Sequence, residues 1–199
     1  MASVALPATT LILLATPPAR QWLEASMSAH MLVQLPLLVA CGFLAIRSLD
    51  GRWQERMLAT LGGAVPCVLL ALVTSSYWML PRALDAALGQ VLAEVAKFVT
   101  LPALVGAPLA LAWRRLGLIG RGVVWTNFLS MLAVLGWLYI AAPVRVCNSY
   151  SAFEQECAGW LMVALALGLF IAWLGALFVG ETPGADVSDA GQYTTSANN

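Results

Sequence analysis

Charged side chains are scarce in this chain. Ten Lys and Arg and ten Asp and Glu make up only 10% of its 199 residues, whereas 61% are hydrophobic. A soluble globular domain has about 25% charged residues. Five apolar segments of about 20 residues, the length that crosses a ~30 Å hydrocarbon core, would leave no room for a separate soluble domain. The composition therefore predicts an all-α, polytopic membrane helix bundle with five transmembrane helices.

Histidine and several catalytic motifs are also lacking. A single histidine, His30, excludes a bis-histidine haem. The sequence has no His-Glu-x-x-His, no Gly-x-Ser-x-Gly and no Gly-x-x-x-x-Gly-Lys-[Ser/Thr], which disfavours most hydrolase and nucleotide chemistry. It also has no Cys-x-x-Cys of a thiol-disulfide oxidoreductase and no run of Lys and Arg that would bind nucleic acid. We therefore expect a protein that is not an enzyme and does not bind nucleic acid.

The apolar runs predict where the five spans lie. They cover residues 27–46, 57–77, 88–113, 123–142 and 157–179. Because the connections between them are short, consecutive helices should be antiparallel neighbours in a compact bundle. Small residues allow membrane helices to approach closely, and six glycines are candidates for such contacts: Gly62, Gly63, Gly106, Gly159, Gly168 and Gly175.

The two ends of the chain differ from the bundle at 27–180. Residues 1–26 contain an apolar run at 4–16 that is too short to cross a membrane comfortably. A short or interfacial helix is expected there; a cleaved signal peptide and disorder are the alternatives. Residues 181–199 are polar and aperiodic, which is typical of a disordered tail.

The arginines predict the orientation of the bundle. The connections after the first and third spans contain six of them: Arg47, Arg52, Arg56, Arg114, Arg115 and Arg121. The opposite side contains three: Arg20, Arg82 and Arg145. Because cytoplasmic loops collect Lys and Arg, we expect the residues before the first span to lie outside and the C-terminal tail to lie in the cytoplasm.

Sulfur and imidazole side chains at the outer end of the first span are candidate metal ligands. Met27, His30 and Met31 lie close together in sequence, and His30 and Gln34 share a helix face at spacing i, i+4. Thioether and imidazole ligands suit copper, especially Cu(I). The alternative is structural, because methionines commonly fill gaps in packing and a lone histidine at an interface is usually a satisfied polar group.

Cysteines offer a second candidate feature. Cys147 and Cys157 flank a connection that is expected to face an oxidising compartment. A disulfide between them is the simplest interpretation, and it would contribute about 3 kcal/mol on the chain-entropy estimate. Free thiols and a thiolate copper site are the alternatives. Cys41 and Cys67 fall within spans.

Two opposite charges lie inside the third span. Glu94 and Lys97 have the spacing i, i+3, which allows an ion pair on one helix face. Ionisable residues at membrane depth are costly and usually mark a functional site. A purely structural ion pair, with Lys97 reaching toward the interface, and a substrate or ion path are both compatible with the pattern.

Three segments resemble motifs of one known family. They read SAHMLVQ at 28–34, LPALVGAP at 101–108 and EQECAGWLM at 154–162. Together they resemble the CtaG family of cytochrome c oxidase assembly factors. That family has a His-Met followed by a second histidine one turn on, a Pro-Leu-Leu-x-x-Gly-x-Pro stretch, and an Asp-Gln-x-x-Ala-Gly-x-x-Met. The matching residues are His30, Met31, Gln155, Ala158, Gly159 and Met162, whereas Gln34 and Glu154 replace the family's second histidine and aspartate.

The resemblance implies a bacterial inner-membrane protein associated with copper supply to haem-copper oxidases. Its partner would be a membrane oxidase or a copper-delivery protein, and its metal candidates would be His30, Met31 and Met27. The alternative is a small transporter subunit or a structural membrane partner, in which Glu94 and Lys97 are important and His30 is not. A membrane enzyme is the third alternative.

Overall fold

All regular structure in the described part of the chain is helical. The computed structural model describes residues 2–179, and the predicted disordered tail at 181–199 lies outside that range. In chain order the helices are α1 (Ala2–Ala15), α2 (Pro17–Glu24), α3 (Met27–Arg47), α4 (Gly51–Thr60), α5 (Ala64–Trp78), α6 (Pro81–Gly89), α7 (Val91–Trp113), α8 (Leu118–Ala141) and α9 (Ala152–Val179).

Four of these helices, α3, α7, α8 and α9, are long and apolar enough to cross a membrane. A fifth crossing results if α4 and α5 are counted as one span. The all-α polytopic fold class is thereby confirmed. Much of the apolar surface of α8 and α9 is exposed, which is compatible with contact with a lipid bilayer.

The predicted second span is wrong in its first part. Instead of one helix over 57–77, the chain turns by 77° between α4 and α5. Gly62 and Gly63 have φ angles of +82° and +103°, a region that favours glycine because a Cβ would be strained there. Residues 57–60 therefore belong to α4, a short helix with Trp53 exposed and Leu58 buried.

The apolar run near the N-terminus is helical, as expected for a short extra helix. It forms α1, which packs against α3. Thr16 then separates α1 from α2, and Pro17 starts α2, where a missing N–H is harmless. In α2 the side chain of Leu23 is buried and that of Trp22 is exposed, so this helix lies along the bundle with one face against it.

The helices α3 and α7 cross at the closest packing in the bundle. A Cβ added to Gly42 would overlap the Pro102 carbonyl, and a Cβ added to Gly106 would overlap the backbone of Val39 and Phe43. Gly106 was expected to serve such a contact, whereas Gly42 was not singled out. The helices α8 and α9 cross in the same way, since Gly136 and Gly159 lie against one another's carbonyl groups. By contrast, Gly168 and Gly175 face open space.

Both helices of the closest crossing also contain a widened turn. In α3 this π-helical turn covers His30–Gln34, and in α7 it covers Leu101–Gly106. Each is followed two residues later by a proline, Pro36 or Pro108, which cannot donate a helical hydrogen bond. Such turns are frequent at functional sites, and the first of them contains the single histidine.

The connections place two distinct polar layers at opposite ends of the bundle. At one end, here called the arginine end, α3 and α7 finish at Arg47 and Trp113, and Arg115 pairs with Glu55 of α4 at 3.5 Å. The opposite end, called the α2 end, holds α2, the starts of α3 and α7, and the connection between α8 and α9. There the Asp85 carboxylate accepts hydrogen bonds from the backbone of the α8–α9 connection.

Candidate functional site: a buried charged centre

Lys97 lies at the middle of a cluster of polar side chains near the α2 end. It is the only lysine of the chain and is 0% exposed. Its Nζ donates to Glu24 Oε1 at 2.7 Å, to Gln34 Oε1 at 3.3 Å and to His30 Nε2 at 3.3 Å. An ammonium group has three N–H donors, so every proton of Lys97 has an acceptor. We call these four residues, together with Tyr150, the charged centre.

The hydrogen bonds assign the protonation state of His30. Its Nδ1 lies 2.9 Å from the Tyr150 hydroxyl, and that hydroxyl donates to the Glu24 backbone carbonyl at 3.0 Å. Because the only hydroxyl proton is used in this way, His30 Nδ1 must donate to the Tyr150 oxygen. Its Nε2 accepts from Lys97, so the imidazole is neutral with the proton on Nδ1. Burial, with the Glu24 carboxylate as the second cause, raises the pKa of the Tyr150 phenol, which keeps it a donor.

Glu24 supplies the negative charge that Lys97 requires. Its Oε1 accepts from Lys97 and also from Gln34 Nε2 at 3.3 Å. Its other oxygen lies 3.9 Å from Arg20, and Arg20 forms a close ion pair with Glu94. The charges therefore alternate in sign from Glu94 through Arg20 and Glu24 to Lys97.

Exposure of these charged side chains falls from Arg20 to Lys97. The side chain of Arg20 is 34% exposed, those of Glu94 and Glu24 are 15% and 14% exposed, and that of Lys97 is fully buried. The centre is thus reached from the α2 end. On the other side, α3 and α7 contain no charged residue from Leu35 to Ile46 or from Phe98 to Trp113, and the Gly42–Gly106 crossing closes the space between them.

The prediction that Glu94 and Lys97 form the ion pair is wrong. Both residues take part in ion pairs, but each pairs across helices: Glu94 with Arg20 and Lys97 with Glu24. The short helix α2 brings Arg20 and Glu24 over the start of α7, and their i, i+4 spacing puts both on one face. Two interhelical pairs replace the expected pair within one helix.

Local structure explains why His30 and Gln34 meet Lys97 together. The Ser26 side chain caps α3 by accepting from the Ala29 N–H at 3.2 Å. The widened turn follows at once, closed by a hydrogen bond from the Leu35 N–H to the His30 carbonyl. The expected shared face of His30 and Gln34 is confirmed, because both side chains contact Lys97 Nζ.

The predicted copper ligands Met27, His30 and Met31 are all buried. Met27 and Met31 belong to the main apolar cluster of the bundle. Both ring nitrogens of His30 already have partners, and one of these partners is a cation. Among residues 2–179 no group of three or more His, Cys, Asp and Glu side chains is placed to hold a metal ion. A copper ion at His30 would first require Lys97 or Tyr150 to move away.

The predicted disulfide between Cys147 and Cys157 is wrong, since all four cysteines are free thiols. Hydrogen bonds hold the connection before α9 with Cys147 turned into the bundle: Gln155 accepts from the Val146 N–H, and Asp85 accepts from the Asn148 N–H. Cys147 is buried, whereas Cys157 is only half-buried. Burial, and to a smaller extent the Asp85 carboxylate, raises the pKa of the Cys147 thiol to about 11.

The two thiols should therefore react at different rates. At pH 8 we expect a maleimide to label Cys157 of the purified protein well before Cys147. Only thiolates react, the raised pKa keeps Cys147 protonated, and Cys157 is the less buried of the two. The folded-state pKa of Cys147 lies above the ordinary value of 9.0, so the unfolded state loses its proton first and stability should fall as pH rises from about 9 to about 11. Mass spectrometry of labelled peptides measures both rates. If neither thiol were labelled until a reductant was added, that result would support the predicted disulfide between Cys147 and Cys157.

Sequence reasoning missed three residues of the site region: Arg20, Glu24 and Tyr150. They lie outside every predicted span, in α2 and in the connection before α9. One local signal was available, because Arg20 and Glu24 have the i, i+4 spacing of a charge pair just before the Ser26 cap. Nothing local marks Tyr150, which lies 120 positions from His30.

Comparison of the chain with models of protein families, with curated proteins and with solved structures finds no match. The charged centre is therefore the feature of the described residues that bears most directly on function.

Proposed function

We propose that this protein is a small transporter subunit of a bacterial inner membrane and that the charged centre is its coupling site. The proposed role is non-catalytic. The observation that carries it is Lys97, a fully buried ammonium held by Glu24, Gln34 and His30. Ionisable side chains that face a bundle interior at membrane depth commonly belong to ion paths and proton relays.

The hydrogen bonds of the centre support a proton relay. They connect titratable side chains in one line, from the Glu24 carboxylate to Lys97 Nζ, from Lys97 Nζ to His30 Nε2, and from His30 Nδ1–H to the Tyr150 hydroxyl. The Glu24 carbonyl only holds the Tyr150 hydroxyl in place. The ionisable groups that face Lys97 from neighbouring helices are Arg20, Glu24 and His30. A proton that arrives from the α2 end would meet the partly exposed carboxylates first and the buried amine last.

The widened turns support a site that changes its access. Transporters commonly bind their ions and substrates beside interrupted helices, at a site that opens to one side of the membrane and then to the other. His30 and Gln34 begin and end the widened turn of α3, and Lys97 lies one turn before that of α7. In the arrangement described, α2 covers one side of the centre and the Gly42–Gly106 crossing closes the other.

Proton uptake into proteoliposomes tests the proposal. Under an imposed pH gradient the wild-type protein should raise proton flux above that of protein-free vesicles. The double variant Lys97→Met/Glu24→Gln removes both charges of the pair and should abolish this flux while the fold remains. Glu55→Gln, which affects only the exposed pair with Arg115, is the matched control and should retain it. Equal flux in the wild type and the double variant would show that the pair is structural.

The orientation forms part of the proposal. Six arginines lie at the arginine end, and Arg20, one of the three at the α2 end, is neutralised by Glu94. We therefore place the α2 end outside and the C-terminal tail in the cytoplasm. A reporter that is active only in the periplasm should be active when fused near Arg145 and silent near Arg52 or Arg121. The reverse pattern would invert the whole arrangement.

Copper handling and assembly support for a membrane oxidase remain the second candidate. They rest on the resemblance and on two buried thioethers, Met27 and Met31, that lie within one turn of His30. The test is the copper content of the detergent-purified protein and its Cu(I) affinity under reducing conditions, for the wild type and for His30→Ala. Binding that is lost in His30→Ala would favour the copper role. No affinity in the wild type would exclude it.

A further inference from the structure

The carboxylate of Glu24 occupies a pocket whose donors belong to other helices. Gln34 Nε2 lies on α3 and Lys97 Nζ on α7, and both donate to Glu24 Oε1. Glu94 is occupied by Arg20, so Glu24 is the counter-ion of Lys97. The bundle thus provides a buried ammonium and an amide, and α2 provides the anion that fills the space between them.

The helix that carries this anion, α2, is not part of any span. Besides Glu24 itself, α2 is held by the Arg20–Glu94 pair, by the buried Leu23 and by the Tyr150 hydroxyl bonded to the Glu24 carbonyl. The next helix does not depend on α2 for its start, because Ser26 caps α3 with its own side chain. Because α1 packs against α3 on the other side of Thr16, α2 would lift by rotation at Thr16 as well as at Ala25 and Ser26. This movement would leave Lys97 and Gln34 in place.

We propose that this pocket is a carboxylate-binding site and that Glu24 is its built-in occupant, which an external carboxylate replaces when α2 lifts. The inference rests on the proposed function, for which it names the class of substrate. A buried ammonium without an anion is costly. When α2 has lifted and Glu24 has left Lys97, the pocket should therefore bind any carboxylate that fits. A tethered group has a high effective concentration, so Glu24 fills the pocket whenever no ligand competes.

Removal of the Glu24 side chain provides the test. Glu24→Ala deletes Cγ, Cδ and both carboxylate oxygens. These are the same heavy atoms as those of an acetate ion, so acetate matches the space that is left. Lys97 is the only lysine, so its reaction with an amine reagent, localised by mass spectrometry, reports access to the pocket. In Glu24→Ala we expect faster labelling of Lys97 than in the wild type, and acetate should slow it about tenfold at ten times its dissociation constant.

Controls separate a specific site from a general salt effect. Chloride at equal ionic strength should not protect Lys97, and Lys97→Met/Glu24→Ala should show no change in thermal midpoint with acetate. If Glu24→Ala does not fold, Glu24→Gln is used in the same assay. Arg20→Gln loosens α2 but keeps Glu24, so in this variant acetate should compete more strongly than in the wild type.

A series of carboxylic acids in the same labelling assay distinguishes a small free acid from a lipid as the ligand. Protection by acetate and propionate indicates a free small acid, and protection only by a long-chain fatty acid in micelles indicates a lipid; either result supports the carboxylate site. Equal protection by phosphate and chloride, or none by any acid, overturns it. Because labelling measures binding without transport, protection in the absence of proton flux would keep the site and reject the transporter. Flux without protection would do the opposite.

Discussion

Glu24→Ala should cost more stability than any other single change in the charged centre, about 3–5 kcal/mol. The reason is that Lys97 is fully buried and would lose its counter-ion. Lys97→Met should cost less, because the Glu24 carboxylate that it leaves behind is partly exposed and keeps its bond to Gln34. The free energy of unfolding, measured by titration with a denaturing detergent, gives both values.

Two further variants make this prediction specific. Lys97→Met/Glu24→Gln should recover part of the loss of Glu24→Ala, because no buried charge is left unpaired. Glu55→Gln breaks an exposed ion pair at the arginine end and should change stability by no more than about 1 kcal/mol. A loss in Glu24→Ala as small as that of Glu55→Gln would show that Lys97 is not buried as described.

Gly106→Ala should be the second most damaging change, with a loss of about 3 kcal/mol or more. A Cβ at this position would overlap the backbone of Val39 and Phe43, and a backbone cannot move aside as a flexible side chain can. Because the crossing also closes the arginine side of the centre, we expect α3 and α7 to separate near Pro102. Detergent unfolding measures the loss, and proteoliposomes should show a leak that the wild type lacks.

Gly168→Ala is the matched control for this change. It lies within α9 with no atom near its added Cβ, and it brings the same gain in helix propensity of up to about 1 kcal/mol. The difference between the two variants therefore isolates the steric cost. Similar stability for Gly106→Ala and Gly168→Ala would mean that α3 and α7 do not approach as closely as the structure shows.

The sequence predicted the bundle well because hydropathy is a local property. A run of about 20 apolar residues can be recognised without knowledge of its neighbours. For this reason the first, third, fourth and fifth spans and the extra N-terminal helix were recovered to within about five residues at each end. The second span was misplaced because Gly62 and Gly63 have positive φ angles, and glycine alone does not reveal whether a chain bends.

The candidate site was only half visible in the sequence. Lys97 and His30 stood out because a charge and a lone imidazole are rare inside apolar segments. Their partners did not, since Lys97 and Glu24 are 73 positions apart and Lys97 and His30 are 67 positions apart. The same limit explains the error at Cys147, because the connection that contains it is held by hydrogen bonds to Asp85, about 60 positions earlier in the chain.

By itself, the sequence determined that this is a membrane bundle with costly polar groups near one end, because composition and periodicity decide which segments leave water. The tertiary structure alone decided how those groups are satisfied. It placed α2 over the start of α7, so that Lys97 pairs with Glu24 and Glu94 with Arg20. The physical reason is that a buried charge is stabilised by whichever opposite charge lies within a few ångströms, and packing sets that distance.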